Sequence, residues 1–332
     1  TALLMGCAAA GSAATLDYIG VTLLRATTTN LDGSGIRVAQ VEGVEALGSP
    51  PPFEVNPGHP QVNRPTNIFT FHSGLGTSTN YPNSIGVESF HSDAVGRLFF
   101  GLPDGVATNV AQVDNFEQEH FVDTYIFVTN PPAPGALILN QSWTYGSQPI
   151  PTQQFIDSAF DDAAAQHGTL YINGAGNGGG VQTPSTAYNC IGVAAFGGAS
   201  SIGPTPDNGR CKPDITAPAT HTSFSTPYVA GVAAVLRQAG LRGDGGPDTN
   251  SVVDTRTLKA LLLNGAIKYN NWTNAPNSPL DKRYGAGQVN AFNSYRQLAF
   301  GKHTNIESIT VPAGDPHPPT AASGNVGALS GW

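Results

Sequence analysis

Runs of β-branched and aromatic residues recur between about residues 36 and 300, separated by stretches whose apolar positions follow helical spacing. Residues 36–41, 107–113, 124–128, 136–139, 169–172 and 191–195 read as strands. Three helices are better marked. Residues 154–166 place Phe155, Ile156, Phe160, Ala163 and Ala164 on one face and stop before Gly168. Asp254 reads as the N-cap of a helix carrying Leu258, Leu261 and Leu262. The third helix, 226–239, has Pro227 in its first turn and Gly240 just past its end. It is apolar nearly all round from Val229 to Leu236, so it is expected to cross the middle of a domain. Strands alternating with helices predict an α/β fold of three layers, a mainly parallel sheet with helices on both faces.

Pro-, Gly- and Asn-rich loops fill residues 48–66, 173–186 and 241–250. Residues 1–20 read as a separate N-terminal segment, a processing remnant or a helix; residues 21–302 read as one domain. Residues 303–332 read as a C-terminal tail with one candidate strand at 306–311. The small apolar residues of the first fourteen positions look like the end of a secretory signal without its basic start, so the chain is expected to be a processed or truncated product.

Charge changes the picture by exclusion. With 15 Lys and Arg against 23 Asp and Glu, the net charge of −8 argues against a nucleic-acid partner. No apolar run approaches the roughly 18 residues of a membrane span. Three cysteines are too few for a disulfide scaffold; Cys190 and Cys211 are a candidate bridge, and three unpaired small apolar residues are the alternative.

A polar stretch, residues 221–226, leads into the apolar third helix. Hydroxyls there sit where backbone N–H groups and the helix dipole favour developing negative charge, although the local sequence by itself favours Ser223, Ser225 or Thr226 as a simple cap. Three other segments belong beside it: a strand ending in Glu42, a helix start at His91, and a Gly-rich strand exit, Asn173 to Gly178. Their order is acid, His, Asn, Ser, at what a parallel sheet would make its carboxyl edge.

In these segments the chain resembles the subtilisin-like serine proteases, the subtilase family, over roughly residues 20–300. The stretch from Ser201 to Pro218 and the Tyr284-Gly285-Ala286-Gly287-Gln288-Val289-Asn290-Ala291 stretch are similar to two further family segments. The resemblance makes residues 21–302 a subtilisin-like peptidase domain. It implies Ser223 as nucleophile, His91 as general base, Glu42 as the acid that orients His91, and Asn177 as an oxyanion donor. It further implies a substrate pocket walled by Ser142, Trp143 and Thr144 and by Gly174, Ala175 and Gly176. Protein or peptide substrates, action as a secreted monomer and no required cofactor follow from the same resemblance. Structural calcium is a further candidate, with Asp244 and Asp248 the acids of one loop.

The chain departs from the family pattern at several places. The family's acid is Asp, whereas this chain has Glu42, with Glu45 three residues on as a second candidate partner for His91. His221 replaces the family's Gly, Phe224 its common Met, and Trp143 a smaller aliphatic residue. The first reading is therefore a serine endopeptidase with a Glu42–His91–Ser223 triad. The alternative is a subtilase fold with weakened catalysis that serves as a binding or surface protein.

Overall fold

The apolar runs form a sheet whose inner strands are covered on both faces. The computed structural model describes residues 10–275 and 278–300. Its first part comprises α1 (Ala10–Tyr18), α2 (Val21–Thr27), β1 (Arg37–Glu42), β2 (Pro52–Glu54), β3 (Phe69–Ser73), β4 (Gly76–Ser78), β5 (Val87–Glu88) and α3 (Phe90–Phe99). Then come β6 (Gln112–Glu117), α4 (Gln118–Tyr125), β7 (Ile138–Gln141), α5 (Ile150–His167), β8 (Leu170–Gly174), β9 (Ile191–Phe196) and β10 (Ile215–Pro218). The last helices are α6 (Thr222–Leu241), α7 (Thr249–Val253), α8 (Thr255–Asn264) and α9 (Ala291–Phe300).

Eight strands join in the order β10-β9-β8-β7-β1-β6-β3-β4, parallel except for the β3–β4 pair, while β2 and β5 form a separate ribbon. Successive residues of one strand feed opposite layers, as the two-residue period of a strand requires. Val38, Ile138 and Ile172 join a core with α6, α8, α9 and the N-terminal Leu16 and Ile19. Their neighbours Ala39, Leu139 and Tyr171 join a second core with Phe121 of α4 and Phe160 of α5. The architecture is the expected α/β arrangement, a mainly parallel sheet between two helical layers.

The apolar helix is the centre of the first layer. Every residue of α6 from Ser225 to Leu236 is buried. Gly231 is required there, since a Cβ at this position would lie 2.4 Å from Val106 Cβ. Asp254 does cap α8, accepting the Arg256 N–H, and Leu258, Leu261 and Leu262 are fully buried.

Other local expectations need correcting. Residues 124–128 form no strand: α4 runs to Tyr125, because Phe121 and Tyr125, one turn apart and stacked, pack with Val122 into the second core, which outweighs the β-type composition of this stretch. The strand expected at 107–113 begins at Gln112, after a turn that buries Ala107 and Val110. Phe155 is not on the buried face of α5; it is 63% exposed and stacks on Phe127. The candidate bridge is not formed: Cys190 is sealed in the second core, whereas the Cys211 thiol lies beside Ser278 Oγ at 3.5 Å, and both are free. Cys7 and the candidate strand at 306–311 lie outside the described residues.

A buried acid of β2 is expected to tie stability to pH. Glu54 is fully buried and neither carboxylate oxygen has a hydrogen-bond partner. Burial pushes its pKa up to about 7. A carboxyl raised in the folded state costs stability as pH climbs from the ordinary Glu range through 7, where only the unfolded chain ionises freely. Glu54→Gln is therefore expected to melt a few degrees above wild type at pH 8, with the gap closing by pH 5. Thermal melts at the two pH values check this; an equal gap at both would contradict it.

Candidate active site

Glu42 is the last residue of β1, at the carboxyl edge of the sheet, and is fully buried. Its Oε2 lies 2.7 Å from His91 Nδ1. His91 is the second residue of α3, and several contacts hold that helix start against the β1 exit. Ser89 caps α3 by accepting the Ser92 N–H. Gln40 Nε2, from β1, donates to Ser92 O and Oγ, both at 2.9 Å. Glu45 accepts the N–H groups of Phe90 at 3.1 Å and His91 at 2.9 Å. Of the two acids weighed for the ring of His91, Glu42 thus makes the contact and Glu45 takes the backbone.

Burial alone would lower the His91 pKa, but the Glu42 carboxylate, by charge and hydrogen bond, and then Glu45 outweigh it and hold the imidazole above its ordinary value. The raised pKa means the ion pair stabilises the fold fully below the unfolded His value, and that stabilisation fades as pH rises through the folded one.

Ser223 is the second residue of α6, which begins at Thr222, four residues before the start that the sequence predicts. Its N–H therefore belongs to the first turn, which has no intrahelical acceptors. The earlier start puts Pro227 inside the helix rather than in its first turn. Proline has no N–H, so the Ser223 carbonyl four residues back lacks its helical donor. Ser142 Oγ supplies one at 2.9 Å, while Asn140 Nδ2 donates to Ser142 Oγ at 3.0 Å. Ser223 Oγ in turn donates to the Ser142 carbonyl at 3.3 Å. No hydrogen bond joins Ser223 to His91 in this structure; the Phe224 ring lies beside His91, with centroids 5.9 Å apart.

Asn177 sits on the loop after β8. Its Oδ1 accepts from Thr222 N at 2.8 Å and Thr222 Oγ1 at 3.0 Å. With the oxygen committed to two donors, the side-chain NH₂ is left for the cavity that Asn177 lines.

That cavity, of about 450 Å³, is lined by Ser142, Trp143, Thr144, Gly174, Gly176, Asn177, Gly178, Gln182, Thr222 and Ser223. Five of the six expected wall residues are there. Ala175 is the exception: it is fully buried, and its carbonyl accepts the Gln182 N–H at 3.0 Å. Gln182 carries no signal in the sequence, where it stands in a Gly-rich loop with no motif around it; Thr144 Oγ1 donates to its Oε1 at 2.7 Å. Gly176 takes a φ of +102°, and a Cβ there would lie 2.6 Å from Ser201 Oγ.

The acids considered for calcium are engaged with protein donors: Asp244 pairs with Arg242, and Asp248 accepts from Ser251 N and Oγ. His59, Glu88 and Asp93 bring one potential ligand atom each within 4.8 Å of one another. Asp93 Oδ1 there already accepts the Asn56 N–H, and Glu88 Oε2 accepts from Asn56 and Tyr81.

A family model described as the subtilase family, Peptidase_S8, matches residues 106–287. The chain belongs to the subtilase family. The matched segment contains Asn177 and Ser223; Glu42 and His91 precede it. The protease domain of PatA is similar in structure, at 22% identity and a TM-score of 0.55, over 82% of this chain and 98% of that one. The prenylagaramide maturation protease PagA is similar at 20% identity and a TM-score of 0.56, over 84% of this chain and 98% of that one. A protease from Pseudoalteromonas arctica aligns at 18% identity and a TM-score of 0.55, over 80% and 91% of the two chains. These likenesses show the fold. No curated protein matches the chain.

The Glu42 contact makes a direct prediction. The His91 imidazole is expected to titrate above the ordinary histidine value by NMR, and Glu42→Gln to lower that midpoint. A midpoint unmoved by the substitution would contradict the assignment of Glu42 as its main charge partner.

Proposed function

We propose that this subtilase is a secreted serine endopeptidase working through Glu42, His91 and Ser223, with Asn177 in its oxyanion hole. The observation that carries the reading is the 2.7 Å contact between the buried Glu42 carboxylate and His91 Nδ1. It leaves Nε2 as the ring nitrogen free to act as base, at the sheet edge where Ser223 also sits.

The reaction follows from these groups. A peptide carbonyl lies over Ser223; His91 Nε2 takes the hydroxyl proton as Oγ attacks the carbonyl carbon. The carbonyl oxygen becomes an oxyanion, held by Asn177 Nδ2 and the Ser223 N–H at the start of α6. His91 then passes its proton to the departing amine, the C–N bond breaks, and an ester to Ser223 remains. Water, deprotonated by His91, attacks that ester; the acid product leaves and Ser223 regains its proton. Glu42 holds the ring and balances its charge while it is an imidazolium.

The Glu side chain is one methylene longer than the family's Asp, and misplacement near 1 Å costs roughly 10²-fold at such sites. The contact Glu42 makes from the end of β1 supports a triad built around the longer acid. Catalysis needs no organic cofactor in this scheme.

Ser223→Ala is expected to abolish hydrolysis of casein and chromogenic peptides at pH 7–9. Asn177→Ala is expected to lower turnover by about 10²–10³, and Glu42→Ala by about 10²–10⁴. A folded, monodisperse wild type that cleaves nothing would contradict the reading and leave the binding-protein alternative. The cavity bears no charged side chain, so an uncharged residue before the cut is expected to be preferred over Lys, Arg, Asp or Glu by about tenfold or more in kcat/KM. A peptide panel varied at that position checks it; equal rates for charged and neutral residues would contradict it.

A further inference from the structure

Glu45 has no part in the scheme above, yet it touches the element that carries His91. It stands three residues beyond Glu42, after the strand has ended, and its backbone N–H reaches the Pro52 carbonyl of β2 at 3.4 Å. Its two carboxylate oxygens are divided between two donors: Oε2 accepts the Phe90 N–H at 3.1 Å and Oε1 the His91 N–H at 2.9 Å. These are the first two residues of α3, and helix-start N–H groups have no acceptor within their own helix.

The same histidine is therefore gripped twice from one strand exit. Glu42 holds the ring through Nδ1, and Glu45 holds the main chain from which the ring projects. An imidazole has two soft torsions, so a bond to Nδ1 alone leaves the ring free to follow any drift of the helix start. Pinning the His91 N–H fixes the origin of those torsions relative to β1. Glu45 is solvent-exposed, unlike Glu42. Its charge is screened by water and salt, so its main leverage is the geometry of two charge-assisted hydrogen bonds.

We infer that Glu45 is a positioning residue for His91, clamping the first turn of α3 so that the ring can meet Glu42 and Ser223 together. This rests on the reading of His91 as general base. It also explains how an acid with an extra methylene can serve at position 42: the longer side chain meets a histidine whose backbone is fixed by a second carboxylate.

The test compares Glu45→Ala, which removes both acceptors, with Glu45→Gln, whose amide oxygen keeps one. The first readout is steady-state cleavage of a chromogenic peptide. Glu45→Ala is expected to lower kcat by about ten- to a hundredfold with KM little changed, and Glu45→Gln to recover most of the loss. The second readout is the low-field NMR resonance of the proton between His91 Nδ1 and Glu42, expected to weaken or move in Glu45→Ala and persist in Glu45→Gln. It needs no activity, so it tests the clamp even if the wild type cleaves nothing and the catalytic reading falls. Glu45→Ala with wild-type kcat and an unmoved resonance would overturn the proposal, as would Glu45→Gln damaging both as severely as Glu45→Ala. Should Glu45→Ala not fold, Glu45→Gln against wild type decides: an unchanged resonance and at most a severalfold drop in kcat support the clamp, and loss of the resonance overturns it.

Discussion

A carboxylate stripped of water must be met by donors, and Glu42 has one. Its Oε2 faces His91 and its Oε1 has no hydrogen-bond partner at all. Isolated in that position, an ionised carboxyl would be costly enough to disfavour the local structure. The pairing with His91 therefore ties the exit of β1 to the start of α3, and the other contacts across that junction keep the two in register. Gln40 reaches Ser92 from the strand, Ser89 caps the helix, and Glu45 occupies its first amides. The electrostatic need of one buried acid and the mechanical anchoring of one helix turn are two aspects of the same arrangement.

The second half of the site is built on a different constraint. A helix buried along most of its length can present only its ends to chemistry, and α6 presents its N-terminus, with Ser223 in the first turn. Pro227 removes one helical hydrogen bond at that end, and the carbonyl it frees is taken by Ser142 from the end of β7. The segment carrying Ser223 is thereby tied to the pocket wall, while Asn177 is oriented by Thr222 of the same helix. Ser142, Asn177 and Ser223, far apart in sequence, converge because the exits of β7, β8 and β10 that they follow lie along one sheet edge.

How much of this the sequence carried depends on how local each signal was. The all-apolar run from Val229 to Leu236 specified a buried helix, and the Asp254 cap specified another, because periodicity and capping act over a few residues. The start of α6 lies earlier than its sequence suggests, because proline usually marks a first turn, whereas here a side chain from another segment replaces the lost bond. The stretch at 124–128 has β-type composition, but Phe121 and Val122 just before it pack as a helix, and that tertiary contact decides. The order of four motifs points to the site residues. It does not carry their mutual geometry: the division of labour between Glu42 and Glu45, the part of Gln182 in the cavity and the burial of Ala175 all depend on contacts that sequence spacing does not encode. The bridge between Cys190 and Cys211 failed for the same reason, since nearness in sequence says nothing of a thiol enclosed in a core.

The central claim is that the Glu42–His91 pair activates the Ser223 hydroxyl. Mass-spectrometric mapping after treatment with a phosphonylating serine probe measures that activation at the atom concerned, in the wild type and in His91→Ala. A single adduct on Ser223, formed rapidly in the wild type and lost in His91→Ala, is the predicted result. Absence of any adduct on the folded wild type, or an adduct at Ser223 that forms equally well without His91, would contradict the account.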